Sequence, residues 1–159
     1  MRKANLDDLD NDFDIFYELY LDTYENRWTD GQIGNIWSRE FFKNFAQVMK
    51  KYPEHIYLWF AELEGEAISA EIDFVWNNRL DSWATVSKPA HFKIKPTIAL
   101  LSGIIQHALE IGVTTFDFGP NLGKQGLEDF KRRFGAETTY YETWEKPSPI
   151  LNLIDKLRS

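Results

Sequence analysis

The spacing of hydrophobic residues changes at Pro53, and this change constrains the fold more than any other feature of the sequence. Before Pro53, apolar residues recur every three or four positions, which is the period of an amphipathic helix. After it, apolar and polar residues alternate, which is the period of a half-buried strand. Proline has no backbone N–H and ends the preceding helix. Helices followed by strands in one chain predict a sheet covered by helices, the α/β class.

Two helices are predicted before Pro53, the first at about 12–26 and the second from the N-cap Ser38 through about Lys51. Residues 29–31, Thr-Asp-Gly, predict a turn between them. Each helix has one stripe rich in aromatic side chains, which is typical of a helix that faces a core. The stripes consist of Phe13, Phe16, Tyr17, Tyr20, Leu21 and Tyr24 in the first helix and Phe41, Phe42, Phe45 and Val48 in the second.

Strands of alternating period follow at 55–64, 67–76 and 82–87, and the turns between them predict an antiparallel meander. The later elements are a helix from Pro96 to about Ile111 capped by Gly112, a strand at 114–118, a basic helix at 126–134 capped by Gly135, a strand at 138–145 and a helix from Ser148. The helix from Pro96 is expected to cross the sheet and place the strand at 114–118 parallel to that at 82–87. Phe130 and Phe134, four positions apart, are expected to be buried against the sheet.

The size and composition are those of one globular domain over residues 1–159. Hydrophobic residues make up 43% of the chain and charged residues 27%. The sequence has no apolar run of about 18 residues, no secretory leader pattern and no cysteine. These absences favour a cytoplasmic protein without a membrane span, disulfides or thiolate metal sites. The spacing of the three histidines does not suggest a metal site either.

The charge distribution predicts a confined anion site in an otherwise acidic protein. The formal net charge of −7 argues against a general nucleic-acid binder. Residues 1–30 hold nine acidic and three basic side chains, whereas residues 82–109 contain three lysines and no carboxylate. Residues 124–133 contain four cations and two carboxylates. The alternative is that these lysines are ordinary solvated side chains on helix faces.

One segment carries a family resemblance. Residues 116–137, FDFGPNLGKQGLEDFKRRFGAE, combine an aromatic-Asp-Phe-Gly strand end, a glycine-bearing loop and a Phe-Lys-x-x-Phe-Gly-Ala helix exit. This arrangement resembles the FemAB-like and BioF2-like branch of the GNAT superfamily of acyltransferases. The resemblance covers about residues 42–145. It implies a mixed, mostly antiparallel sheet with helices on both faces.

The resemblance also implies an activity. Such proteins are N-acyltransferases that move an acyl or aminoacyl group to an amine of a small molecule or peptide, by direct attack and without a tightly bound cofactor. Typical acetyl-CoA enzymes of the superfamily carry a glycine-rich loop that cradles the pyrophosphate, but residues 88–96 contain no glycine. The Fem-like branch lacks that loop and uses aminoacyl-tRNA. Acyl-CoA (acetyl-CoA) as a co-substrate and aminoacyl-tRNA therefore both stay open as donors.

The length leaves the assembly open as well. Fem-like relatives often carry two such domains in tandem, and residues 1–159 are long enough for one. The chain is then a stand-alone half, a homodimer that restores the pair, or a degenerate relative. The alternative to an enzyme is a non-catalytic GNAT-fold binding or dimerisation module that uses the aromatic, acidic N-terminal helix pair.

Five residues are predicted to bind the donor. The helix that begins at Pro96 presents free N–H groups and a positive dipole end, and Lys93, Lys95 and Thr97 lie beside or within its first turn. Asn121 is expected to hydrogen-bond a pantetheine or peptide amide, with turn formation as the alternative. Arg132 of the basic helix is assigned to the donor too.

Three residues are predicted to act in catalysis. Lys131 lies four residues before Gly135, where many GNAT enzymes have a proton-donating tyrosine and Fem-like relatives have a lysine that resembles an oxyanion stabiliser. Asp117 is expected to act as a base or to cap the following glycine turn. Glu71 shares a strand face with Asp73, so both project into one site or onto a wet surface.

Overall fold

The computed structural model describes residues 1–27 and 36–142. The chain forms two compact units, residues 1–120 and 121–159. The first unit contains β1 (Arg2–Lys3), α1 (Leu9–Arg27), α2 (Arg39–Lys51), β2 (Ile56–Leu63), β3 (Glu66–Trp76), β4 (Arg79–Ser87), α3 (Pro96–Glu110) and β5 (Thr115–Asp117), with 3₁₀ turns at Leu6–Asp8 and Pro89–Ile94; the second contains α4 (Gln125–Arg132).

The sheet has the strand order β1-β2-β3-β4-β5. Strands β1 to β4 pair antiparallel, whereas β4 and β5 pair parallel. The predicted mixed, mostly antiparallel sheet is confirmed, and so is the parallel placement of the strand after the crossover helix α3. The parallel pair is short, because it runs only from Arg79 opposite Thr115 to Asp81 opposite Asp117.

Helices cover both faces of the sheet. Helices α1 and α2 bury Phe13, Phe16 and Phe42 against one face, together with Ile72 and other apolar residues of β3. Helix α3 covers the other face, where a second apolar cluster combines Tyr57, Trp59, Ala61, Leu80, Leu100, Ile104, Ala108 and Val113. Side chains alternate between the faces along a strand. The polar residues of β3, which alternate with its apolar ones, therefore point toward α3.

The cap of α2 was predicted correctly, and its buried face in part, since Phe42 is buried and Phe45 packs against the core. Ser38 is the N-cap, and its hydroxyl accepts the N–H of Phe41. The residues that α2 buries are Phe42, Ala46 and Met49, whereas Phe41 and Val48 are exposed. The buried residues are spaced i, i+4 and i+7 and form one narrow stripe. Phe41 and Val48 each precede a residue of this stripe by one position and therefore lie at the border of the buried face.

The N-terminal strand β1 was missed because two residues are too few to show a period. It is held by Asp12, which is buried in α1. The Asp12 carboxylate accepts the Arg2 guanidinium at 2.7 Å and the N–H of Asn5 at 2.8 Å. Arg2 also pairs with Glu62 of β2, at 2.6 Å. These bonds fix the start of the chain along the edge of β2.

In the second unit, Phe130 and Phe134 contact each other at 5.4 Å between ring centroids, but both are only half-buried. The buried residue of α4 is Lys131. Gly135 has φ +82°, as its predicted capping role requires. Residues 138–142 form no strand, contrary to prediction, since the described part of this unit offers no strand to pair with. Three predictions lie outside the described residues: the end of that strand at 143–145, the helix from Ser148 and, in the first unit, the turn at 29–31.

None of the described helices combines the length and the apolar character that a bilayer crossing requires.

Replacing Phe16 by alanine tests the helix-covered core. Phe16 is fully buried and contacts Phe13 and Phe42, so its removal leaves a cavity that the packed helices cannot fill. We expect Phe16→Ala to lower the free energy of unfolding by about 3–5 kcal/mol, measured by urea denaturation. Leu109→Ala, at a position 70% exposed, is the control and should change it by less than about 0.5 kcal/mol. Equal effects of both changes would contradict the placement of α1.

Candidate active site

The first feature of the site is an open stretch of β4. Pairing with β5 stops at Asp81 opposite Asp117, but β4 continues to Ser87. Among residues 1–27 and 36–142, the edge of β4 from Ser82 to Ser87 therefore has no strand on its β5 side. The Thr23 hydroxyl of α1 accepts the N–H of Ser87 at 3.0 Å and donates to its C=O at 3.3 Å. Unpaired N–H and C=O groups earlier on the edge can bind an extended ligand that carries amide groups.

The chain leaves β5 in a tight turn beside this edge. Asp117 accepts the N–H of Gly119 at 2.6 Å and also pairs with Arg79. Gly119 has φ +71°, and a Cβ there would lie 3.5 Å from the Ser82 carbonyl oxygen. The positive φ favours glycine at this position. These bonds match the turn-capping alternative for Asp117, and its role as a base stays a prediction.

A bulge in β4 turns two hydroxyls toward the face that α3 covers. Ser82 lies opposite Asp73 and Ala84 opposite Ile72, so Trp83 is the extra residue. Trp83 points to the other face, where it stacks on Phe45. Because of this shift, the side chains on both sides of the bulge, those of Ser82 and Thr85, reach the same residue of β3.

That residue is Glu71, which is fully buried together with Asp73. The Glu71 carboxylate accepts the hydroxyl of Ser82 at 2.6 Å and that of Thr85 at 3.2 Å. The two carboxylate oxygens of Asp73 accept no well-formed hydrogen bond, although the indole of Trp59 is nearby. The pair was predicted to share one site or to face water, and the structure shows that it is buried beneath α3.

Burial sets the protonation of this pair. Loss of hydration raises the pKa of the Glu71 carboxyl, while hydrogen bonds, including those from Ser82 and Thr85, oppose the rise. Burial also raises the pKa of the Asp73 carboxyl well above its usual value, and the negative charge of Glu71 raises it further. The two carboxyls therefore hold one proton between them over a pH range in which isolated carboxyls are ionised.

The start of α3 is fixed at the far end of the open edge. The hydroxyl of Thr97 lies 2.7 Å from that of Ser87, and Ser87 in turn lies 2.6 Å from the hydroxyl of Ser69. Lys93 and Lys95 precede this first turn and are exposed. The positive end of the helix dipole and two cations thus stand beside the last residue of β4.

The other predicted residues belong to the second unit. Lys131 is buried, with 8% of its surface exposed. Arg132 is exposed and pairs with Glu128 at 2.6 Å. The side-chain carbonyl oxygen of Asn121 is buried and has no hydrogen-bond partner among the described residues. A buried acceptor of this kind is suited to a ligand N–H group.

Sequence reasoning missed Ser82, Thr85 and Ser87 as parts of the site. The signal was present as a break in the alternation of β4, where two polar residues are three positions apart instead of two. Such a break marks a bulge only once the partner strand is known. Among the described residues, no group of three or more histidine or carboxylate side chains is placed to hold a metal ion.

Comparison with known proteins identifies the family. A family model described as an acetyltransferase (GNAT) domain matches residues 3–132. The chain belongs to the GNAT acetyltransferase family. A search of curated protein sequences finds no match.

Solved structures of other acetyltransferases share the fold of this GNAT domain. An aminoglycoside acetyltransferase from an uncultured soil metagenomic sample, in complex with sisomicin, has a TM-score of 0.68 at 14% identity, covering 92% of this chain and 95% of the other. AAC(6')-Iy bound to a CoA-containing bisubstrate analogue has a TM-score of 0.67 at 11% identity, covering 92% of this chain and 96% of the other. Glucosamine-6-phosphate N-acetyltransferase from Arabidopsis thaliana has a TM-score of 0.64 at 12% identity, covering 91% of this chain and 95% of the other. At these identities the likeness shows the fold alone.

The acid pair of this GNAT domain should make its stability depend on pH. A carboxyl whose pKa is higher in the folded than in the unfolded state reduces stability as pH rises, starting at the ordinary carboxyl pKa of about 4 and ending at the raised folded value. One such group reduces the free energy of unfolding by up to about 1.4 kcal/mol per pH unit in that window. We expect Asp73→Asn, which has nearly the same volume and cannot ionise, to remove this group's share of the decline in stability with pH.

Urea denaturation at a series of pH values from about 4 to 8 measures the effect. The matched control is Asp7→Asn, at an exposed position, which should leave the slope of the parent protein unchanged. A variant Asp73→Asn with the parental slope would show that Asp73 is not buried in protonated form.

Proposed function

We propose that this GNAT domain transfers an acetyl group from acetyl-CoA to the amine of a small molecule or peptide. The observation that carries the proposal is the open edge of β4, which ends at the N-terminus of α3 and has the buried Glu71 carboxylate behind its hydroxyls. The pantetheine arm of CoA is extended and contains two amides, so it matches an unpaired strand edge. Its pyrophosphate matches a helix N-terminus.

The first turn of α3 supports acetyl-CoA despite the absence of glycine before it. Lys95 adopts the left-handed conformation, with φ +55°, directly before Pro96. Glycine usually supplies this conformation in a phosphate-binding loop. Here the 3₁₀ turn and Lys95 bring the chain into the helix instead. Pro96 has no N–H, and the N–H groups of Ile98 and Ala99 donate to the Lys95 carbonyl oxygen, so the N–H of Thr97 is the first-turn donor that this proposal assigns to a phosphate.

The charge of the protein also favours a CoA donor over an aminoacyl-tRNA. A tRNA offers a long row of phosphates and binds through an extended basic surface, whereas the net charge of this chain is −7. Two lysines at one helix end suit the few phosphates of CoA. AAC(6')-Iy, one of the similar structures, binds CoA. The Phe116–Gly119 and Phe130–Ala136 motifs support membership of the BioF2-like branch within the family.

The predicted residues take the following roles in this proposal. Glu71 accepts the proton of the attacking amine. For Lys131 of the second unit, stabilisation of the negative charge on the thioester oxygen stays the role that the family resemblance predicts. Asp117 holds the turn at Gly119. Within the first unit, the donor is bound by Lys93, Lys95 and Thr97. Asn121 and Arg132 of the second unit stay predicted donor-binding residues. The amine attacks directly, so the enzyme forms no covalent intermediate.

A second candidate is a binding or dimerisation module without catalysis. Trp37 and Phe41 at the start of α2 are 40% and 37% exposed and stack on each other, which suits a contact with a partner or a second copy. A thermal-shift measurement separates the candidates, because acetyl-CoA stabilises only a protein that binds it. The assignment of residues 1–159 to one domain, the homodimer and the cytoplasmic location stay predictions.

Removing the two cations before α3 should weaken donor binding. We expect Lys93→Gln combined with Lys95→Asn to raise the Kd for acetyl-CoA about 3- to 10-fold at low salt, as the loss of two exposed charge contacts predicts. Asparagine is chosen because it tolerates the left-handed conformation of Lys95. The difference from the parent should shrink in high salt. Isothermal titration calorimetry measures it, with Lys43→Gln on the exposed side of α2 as the control.

Replacing Lys131 should lower turnover and leave donor binding unchanged. Methionine has a similar length and no charge, so Lys131→Met preserves the packing of this buried side chain. Loss of a group that meets charge only in the transition state lowers kcat by about 10²–10³-fold. Release of CoA in the presence of amine acceptors measures turnover, with Arg133→Met as the control. Parental turnover in Lys131→Met would remove this residue from the catalytic site.

A further inference from the structure

The Glu71 carboxylate is buried, so an amine in the cleft has no direct contact with it. Its exposed fraction is 0%, whereas Ser82 is half-buried at the start of the open edge of β4. The Ser82 hydroxyl donates to Glu71 Oε1 at 2.6 Å, which is the length of a strong, charge-assisted hydrogen bond. Ser82 therefore connects the buried carboxylate with the edge at which the donor binds in the proposed function.

We propose that Ser82 is a catalytic residue that relays the proton of the attacking amine to Glu71. This inference rests on the proposed function. The amine nitrogen forms a bond to the thioester carbon, and the carbon–sulfur bond breaks with its electron pair moving to CoA sulfur. The nitrogen gives its proton to the Ser82 oxygen while the Ser82 proton moves to Glu71 Oε1. The thiolate takes a proton from solvent, and Glu71 returns its proton by the same route.

The second hydroxyl on Glu71 has a different role. Thr85 donates to Oε2 at 3.2 Å, a longer and weaker bond than that of Ser82. Thr85 also lies three positions beyond Ser82 in β4, so it is farther than Ser82 from the last residue pair between β4 and β5. It orients the carboxylate, whereas Ser82 lies next to the Gly119 turn where the cleft begins. Thr85 is thus a positioning residue.

Asp73 lets Glu71 work as a base. The raised pKa values of both carboxyls mean that the pair keeps one proton over a pH range in which isolated carboxyls are ionised, and it can accept one more. The other titratable groups near the pair are Tyr57 on β2, which lies opposite Asp73, and His107 on α3, whose ring contacts Trp59. The hydroxyls of Ser82 and Thr85 donate hydrogen bonds to the Glu71 carboxylate, and no ion pair with a cation is seen for it among the described residues.

The test compares Ser82→Ala with Thr85→Val, since each removes one hydroxyl from the same carboxylate. The probes are acetyl-CoA as donor and hydroxylamine or water as nucleophile, so no natural acceptor is needed, and released CoA is measured with a thiol reagent. We expect Ser82→Ala to lower kcat about 10²-fold with an unchanged Kd for acetyl-CoA, as loss of a proton acceptor predicts. Thr85→Val should cause less than a tenth of that loss, and Ser82→Thr should restore most of the activity. Ser102→Ala, on the exposed side of α3, is the neutral control.

A double variant distinguishes a relay from independent effects. If Ser82 acts through Glu71, the combination of Ser82→Ala with Glu71→Gln is no slower than the slower single variant. Should Ser82→Ala fail to fold, Ser82→Cys keeps the volume and should lose activity in the same direction. Parental kcat in Ser82→Ala, or losses that multiply in the double variant, overturn the relay alone. A parent that binds acetyl-CoA without releasing CoA overturns acetyl transfer, and the relay with it, in favour of the non-catalytic module. A parent that does not bind acetyl-CoA overturns the proposed function and the relay with it.

Discussion

Strand β5 is three residues long, and its parallel pairing with β4 ends at Asp81 opposite Asp117. The rest of the site is built around the edge that this early end leaves on β4. An unpaired edge invites association with other chains unless it is short or covered. The edge of β4 without a strand partner is six residues long, from Ser82 to Ser87, and its last residue is hydrogen-bonded to Thr23 of α1. A capped glycine turn borders one end of this edge, and the first turn of α3 borders the other. A longer β5 would have paired with this edge and closed it.

The buried acid pair is costly for the fold. Two carboxyls without hydration destabilise the folded state unless a proton or hydrogen-bond donors compensate. Two hydroxyls and the proton of Asp73 supply that compensation, and the aromatic core between α1, α2 and the sheet supplies the remaining stability. Carboxyls whose pKa is perturbed by burial and by a charged neighbour are candidates for a functional site. The contact between the hydroxyls of Thr97 in α3 and Ser87 in β4 holds the start of the helix and also places it against the edge of β4.

Local patterns predicted most of the secondary structure. The period change at Pro53, the cap at Ser38 and the left-handed glycines at 112 and 135 depend on residues close together in the chain, so they can be found without the fold. The parallel strand pair followed from the rule for crossovers. The strand predicted at 138–145 failed in its described part because a strand also needs a partner, which no local pattern contains.

The sequence by itself determined the α/β class, the order of the elements, the two basic zones and Glu71 as a candidate. Only the tertiary structure decided that Glu71 and Asp73 are buried, because α3, some 30 residues later in the chain, covers their face of the sheet. Similarly, only the pairing of β3 with β4 revealed the bulge at Trp83 that turns Ser82 toward Glu71. Burial and hydrogen-bond partners arise from contacts between residues far apart in the chain, whereas a periodic pattern records only the preferences of neighbours.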